Sequence, residues 1–140
     1  MNCLIDTCAL SECVKKAPNP HVVQWFNKQR FECLFLSAIT IAELKKGIYK
    51  LQFSQPERAQ KLHHWLQTIE AKFYLRVLPI SDDVLTRWAS ISAYAECQGK
   101  KLAVMDSLIA STALQHDLVL VTRNVNDFEP TGVRILNPWQ

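Results

Sequence analysis

Asp6, Glu43, Asp106 and Asp127 each stand where an apolar run meets a helix-like stretch. Asp6 closes Cys3-Leu4-Ile5. Glu43 follows Leu34-Phe35-Leu36-Ser37 and falls in the first turn of a helix. Asp106 opens the helical run Ser107 to Gln115, and Asp127 lies just past Leu118 to Thr122. In an open α/β sheet, ligands bind in the crevice outside the carboxyl ends of the strands. Four acids from four distant segments can meet in such a crevice. A carboxylate set without His or Cys suits a hard, oxygen-loving cation such as Mg²⁺ or Mn²⁺.

Positioning those acids requires strands that alternate with helices. The pattern predicts strands at Asn2 to Ile5, Cys33 to Ser37, Arg76 to Ile80, Leu118 to Thr122 and Val133 to Leu136. Between them it predicts helices over Thr7 to Lys16, His21 to Lys28 and Thr40 to Leu51. A longer helix follows Pro56, with Leu62, Trp65, Leu66, Ile69 and Phe73 at helical spacing. Ser81 or Asp82 caps the next helix, which Gly99 ends. The last is the Asp106 helix. This alternation predicts an α/β fold with a mainly parallel sheet of about five strands and helices on both faces. If the first and fourth strands are neighbours, Asp6 and the segment after Thr122 flank the crevice.

Composition bounds the rest. The chain has 140 residues, 49% of them hydrophobic and 21% charged, which suits one domain spanning 1–140. A net charge of +3 is compatible with a polyanionic substrate without demanding one. No signal peptide and no apolar run long enough to span a membrane is visible, so a cytoplasmic, unanchored protein is expected. Cys3, Cys8, Cys13, Cys33 and Cys97 form neither a disulfide framework nor a CxxC pair, and are expected as reduced packing groups. The histidines lack zinc-site spacing. Three glycines leave no Gly-rich phosphate loop.

Each acid also has a purely structural role available. Thr40-Ile41-Ala42-Glu43 fits a capping box. Asp6 and Asp106 stand where helix N-caps belong. Asp127 is placed to brace a turn. Crowded carboxylates repel and need either a cation or raised pKa values.

The segments around the acids resemble the four motifs of PIN-domain nucleases. These are Leu4-Ile5-Asp6-Thr7, Ser37 to Leu44, Leu102 to Ala110, and Leu120 to Phe128, in order along the chain. The chain is most similar to the toxins of VapBC- and FitAB-type toxin–antitoxin pairs, including its ending Gly132 to Trp139. The resemblance implies a three-layer α/β/α domain and a Mg²⁺- or Mn²⁺-dependent endoribonuclease. It further implies a homodimer held inactive, as a hetero-oligomer, by a small DNA-binding antitoxin. Asp6 and Asp106 match the metal-binding acids and Glu43 the acid of the second motif. Many relatives carry an acid where Asn124 stands, so Asn124 and Asp127 compete for the fourth place.

The resulting expectation is hydrolysis of an RNA phosphodiester with Asp6, Glu43, Asp106 and Asp127 as the catalytic set and a divalent ion as cofactor. Thr7, Ser107 and Asn124 adjoin the acids and are candidates to position water or substrate. Lys45, Lys46 and Arg123, with Lys50, Lys100 and Lys101 behind them, are candidate phosphate contacts. Trp25, Trp65 and Trp88 fall on apolar helical stripes and are expected in the core or an interface. Two other readings compete. A phosphatase with an aspartyl nucleophile would need a second acid two residues after Asp6, where Cys8 stands. A degenerate PIN-like module would bind RNA or a partner without cutting.

Overall fold

The computed structural model describes residues 1–140. In chain order the elements are β1 (Cys3–Ile5), α1 (Thr7–Glu12), α2 (Pro20–Lys28), β2 (Leu34–Ser37), α3 (Ala38–Leu51), α4 (Pro56–Lys72) and β3 (Val77–Leu78). They continue with α5 (Asp82–Cys97), α6 (Val104–Gln115), β4 (Val119–Val121), α7 (Val125–Phe128) and β5 (Ile135–Leu136). Short 3₁₀ turns precede β2 and follow α7.

The strands form one sheet in the order β3-β2-β1-β4-β5, and every pairing is parallel. Strand order therefore reverses between β1 and β4, the anticipated neighbours. Their register pairs Ile5 with Val121. The ladder continues one step further, because the Asp6 amide donates to the Val121 carbonyl at 3.0 Å.

Alternation along the strands sorts the core into two layers. On one face, Cys3, Ile5, Leu34, Leu36, Val119 and Val121 pack against Ala9 and Leu10 of α1, Ile41 and Ile48 of α3, and Ala59 and Leu66 of α4. On the other, Leu4 and Leu120 meet Ile109, Ala110 and Ala113 of α6, with Phe128 of α7. Helix α5 packs against α6 from outside. The result is the three-layer α/β/α arrangement. Every position of β1 and β4 is buried, which is why these strands read as unbroken apolar runs.

Several expected boundaries move. Helix α1 stops at Glu12, not Lys16. Glu12 is buried, and its carboxylate accepts the Asn19 amide at 2.9 Å and pairs with Lys15 at 2.8 Å. That carboxylate fastens the α1–α2 turn, so the chain leaves the helix there. Helix α3 begins at Ala38 because the Ser37 hydroxyl accepts the Ile39 amide at 3.0 Å. Thr40 is thus inside the helix and the capping box with Glu43 does not form. Helix α6 begins at Val104 after Ala103, so Asp106 is its third residue and not its cap. Two expected caps hold: Asp6 accepts the Thr7 amide at 2.8 Å, and Ser81 accepts the Val84 amide at 3.3 Å. Gly99, with φ +74°, follows the end of α5 as expected. Trp25 and Trp65 pack on the core around Leu36 and Leu66.

Candidate active site at the carboxyl ends of β1 and β4

Asp6 and Thr122 leave the sheet side by side, each one residue past a strand of the switch point. Both are buried. The Thr122 hydroxyl accepts the Asn124 amide at 3.0 Å, so its single proton goes to Asp6 Oδ2, 2.7 Å away. Asp6 Oδ1 takes the Thr7 amide. The Cys8 thiol lies 3.6 Å from Oδ2 and 3.5 Å from the Thr122 hydroxyl. The carboxylate is held on both oxygens by groups its own junction supplies.

Burial pushes the Asp6 carboxyl above its ordinary range. The Thr122, Thr7 and Cys8 hydrogen bonds pull it back down, and the charge of Asp127 raises it again. Burial likewise pushes the Cys8 thiol up, which keeps it protonated as a weak donor.

Glu43 comes from the second turn of α3. Its Oε1 accepts the Thr7 hydroxyl at 2.6 Å. Asp106, half-buried on the first turn of α6, has its pKa raised by burial first, then by the charges of Asp6, Asp127 and Glu43. Three acids from three other segments thus act on Asp106, and Asp127 acts on Asp6 as well. None of them is in an ion pair with lysine or arginine, since the four salt bridges join Lys15–Glu12, Arg30–Glu32, Lys45–Glu70 and Arg134–Asp117.

The donor chemistry suits a hard divalent cation: oxygen only, negatively charged and uncompensated. No three of the His, Cys, Asp and Glu side chains stand close enough to enclose an ion by themselves. Mg²⁺ keeps several waters and takes one or two carboxylates, so an open set of this kind fits it better than a closed cage would.

The remaining candidates divide. Thr7 faces Glu43 and belongs to the site. Ser107 does not: its buried hydroxyl donates to the Val104 carbonyl and accepts the Trp88 indole N–H, both at 2.9 Å, so it joins α5 to α6. Asn124 is exposed and enters through its backbone amide on Thr122. Asp127 is also exposed, and its charge raises the carboxyls of both Asp6 and Asp106. Lys45 is two residues from Glu43, hence on another face of α3, and reaches Glu70 of α4 at 3.4 Å. Exposed Lys46 is one turn from Glu43 and shares its face. The Arg123 guanidinium lies 5.6 Å from the Trp139 ring. Sequence reasoning missed Thr122 and Thr40. The register that pairs Ile5 with Val121 also sets Asp6 opposite Thr122, and that was the available signal.

The PIN-domain family model matches residues 3–131. The chain is 39% identical over 137 residues to Toxin FitB of Neisseria gonorrhoeae, with 97% of each chain covered. It is 34% identical over 137 residues to the VapC ribonuclease Y4jK of Sinorhizobium fredii, covering 98% of this chain and 97% of that one. Its fold matches a solved structure of FitAB bound to a DNA fragment, with a TM-score of 0.90, 36% identity, and 98% of this chain and 95% of the other covered. By motif, fold and relatives alike, this chain belongs to the PIN-domain family, in its FitB- and VapC-like group.

Proposed function

We propose that the protein is a divalent-cation-dependent endoribonuclease, the toxin of a toxin–antitoxin pair. The observation that carries this reading is that Asp106 feels the charges of Asp6, Asp127 and Glu43, and Asp6 that of Asp127, with no lysine or arginine paired to any of the four. Relatives named a toxin and a ribonuclease over nearly the whole chain support it.

In this reading Asp6 and Asp106 hold Mg²⁺ or Mn²⁺ directly. Glu43 holds it too or orients the attacking water, and Asp127 completes the acidic set with Asn124 beside it. When bound, such an ion lowers the pKa of water and offsets charge on the phosphoryl oxygens. Asp6 contributes a carboxylate already fixed by Thr122 and Thr7, so little side-chain reorganisation is left for the moment of reaction. Lys46 is the cation best sited to meet the phosphate backbone, on the Glu43 face of α3. The match to FitAB bound to a DNA fragment supports an antitoxin partner in a complex that binds DNA, and a small DNA-binding antitoxin and a toxin homodimer belong to the same reading. No helix is long and apolar enough to cross a membrane.

Purified protein should cut RNA with Mg²⁺ or Mn²⁺ and stop when the cation is chelated, with cleavage read as new mapped RNA ends. Induction of wild type beside Asp6→Ala should reproduce the contrast in cells. The open spacing of the acids favours one rival, a module that binds RNA without cutting it. RNA retained on a gel but never cleaved in either cation would establish that rival.

A further inference from the structure

Thr40 lies fully buried in α3, one turn before Glu43 and on the same face. Buried hydroxyls inside a helix usually turn back to the carbonyl four residues earlier. Thr112 and Ser111 of α6 do so, reaching Leu108 and Ser107 at 2.9 and 2.6 Å. Thr40 instead meets the Thr7 hydroxyl at 3.2 Å. Thr7 has one hydroxyl proton, and Glu43 Oε1 takes it at 2.6 Å, the length of a charge-assisted O–H···O⁻ bond. The same Thr7 hydroxyl faces Thr40 as donor along the longer contact, so Thr40 is its second, weaker acceptor. Thr40 and Glu43, one turn apart on α3, thus bracket the single Thr7 hydroxyl.

We propose that Thr40 is a positioning residue for Glu43: through Thr7 it fixes where the Glu43 carboxylate points and ties α3 to the start of α1. The inference rests on Glu43 belonging to the reactive set. It assigns Thr40 a task that helix capping does not, since Ser37 already caps α3.

The test compares Thr40→Val, Thr40→Ser and Thr7→Val with wild type. Valine keeps the β-branched shape and removes the hydroxyl; serine keeps the hydroxyl. Crystals of Thr40→Val should show Glu43 displaced from Thr7, and its kcat on RNA should fall roughly fivefold at unchanged KM, the scale of one neutral hydrogen bond. Thr40→Ser should restore both, and Thr40→Val should add nothing in a Glu43→Ala background. Glu43 still seated on Thr7 in Thr40→Val overturns the proposal, as does a Thr40→Ser variant that fails to restore it. Should Thr40→Val not fold, Thr7→Val breaks the same contacts at a half-buried residue, and Glu43 unmoved there overturns it equally. A wild type that cuts no RNA defeats the ribonuclease reading alone, because the position of Glu43 across the variants is read without activity.

Discussion

Asp6 and Asp106 bring the same charge to the same crevice, and the chain treats them differently. Asp6 is buried and held by Thr122, Thr7 and Cys8. Asp106 is half-exposed on α6 and has no hydrogen-bond donor, only the repulsion of Asp6, Asp127 and Glu43. The β1–α3 half of the crevice, with Glu43 on Thr7, is built in advance by hydroxyls and amides. The α6–α7 half is open, and no lysine or arginine pairs with its acids. The hydrogen bonds offset only part of the burial of Asp6, whose carboxyl stays above its ordinary range, and water screens the more exposed acids.

The largest expected effects fall on the acids. Asp6→Asn should lower RNA cleavage by roughly 10²–10³-fold, the scale of losing one preorganised electrostatic group. Its circular dichroism and melting should stay near wild type, because asparagine still accepts the Thr7 amide. A variant that loses activity by unfolding would mean that Asp6 serves the built half as scaffold only.

Cation binding probes the open half next. Ions that bind only the folded chain stabilise it by about 2.7 kcal/mol at one hundred times Kd, a rise of several degrees in melting temperature. Mg²⁺ or Mn²⁺ should produce that rise at neutral pH in wild type and fail to do so in Asp106→Asn. Without cation, the pH dependence has a definite sign. Asp6 and Asp106 keep their protons to higher pH folded than unfolded. Between their ordinary and raised pKa values the native chain binds more protons than the unfolded one, so these two groups make stability rise as pH falls through that window. Added divalent cation should flatten the trend.

Thr122→Val removes a donor from a buried carboxylate, a bond of about 1.5–3 kcal/mol for a charged group. Activity should fall about tenfold or more, and the Asp6 carboxyl should rise further, because the Thr122 bond lowers it. The smallest effects separate the rivals for the fourth place. Asp127→Asn should cost about tenfold in kcat, or roughly 1.4 kcal/mol, whereas Asn124→Ala should stay within about twofold. The reverse order would return the fourth place to Asn124.

How much of this was legible in the chain follows the same division. Strand alternation, the Asp6 cap and the junction positions of the acids were readable, because each depends on local apolar period and turn chemistry, whereas the β1–β4 adjacency was only a condition until the strand pairing met it. The capping box at Thr40 was a misreading with a physical cause. Ser37 and Thr40 both offer a hydroxyl ahead of α3, and the one at the strand end starts the helix. Asp106 looked like a cap because an acid at a helix start usually is one, yet α6 begins after Ala103, which has no capping side chain. Ser107 resembled a site residue by adjacency, and only the packing of α5 reveals that Trp88 takes its hydroxyl. Lys45 shared the Glu43 helix but not its face. The hydroxyl bonds of Thr122 and Thr40 were not legible locally, because their partners lie 116 and 33 residues away in sequence.

These acids are proposed to make one cation-dependent cutting site. That site is tested most directly by incubating purified wild type and Asp106→Asn with RNA, with and without Mg²⁺ or Mn²⁺, and mapping the RNA ends. Cleavage by wild type only when cation is present, and none by a folded Asp106→Asn, is the predicted result. Full activity in Asp106→Asn would contradict it.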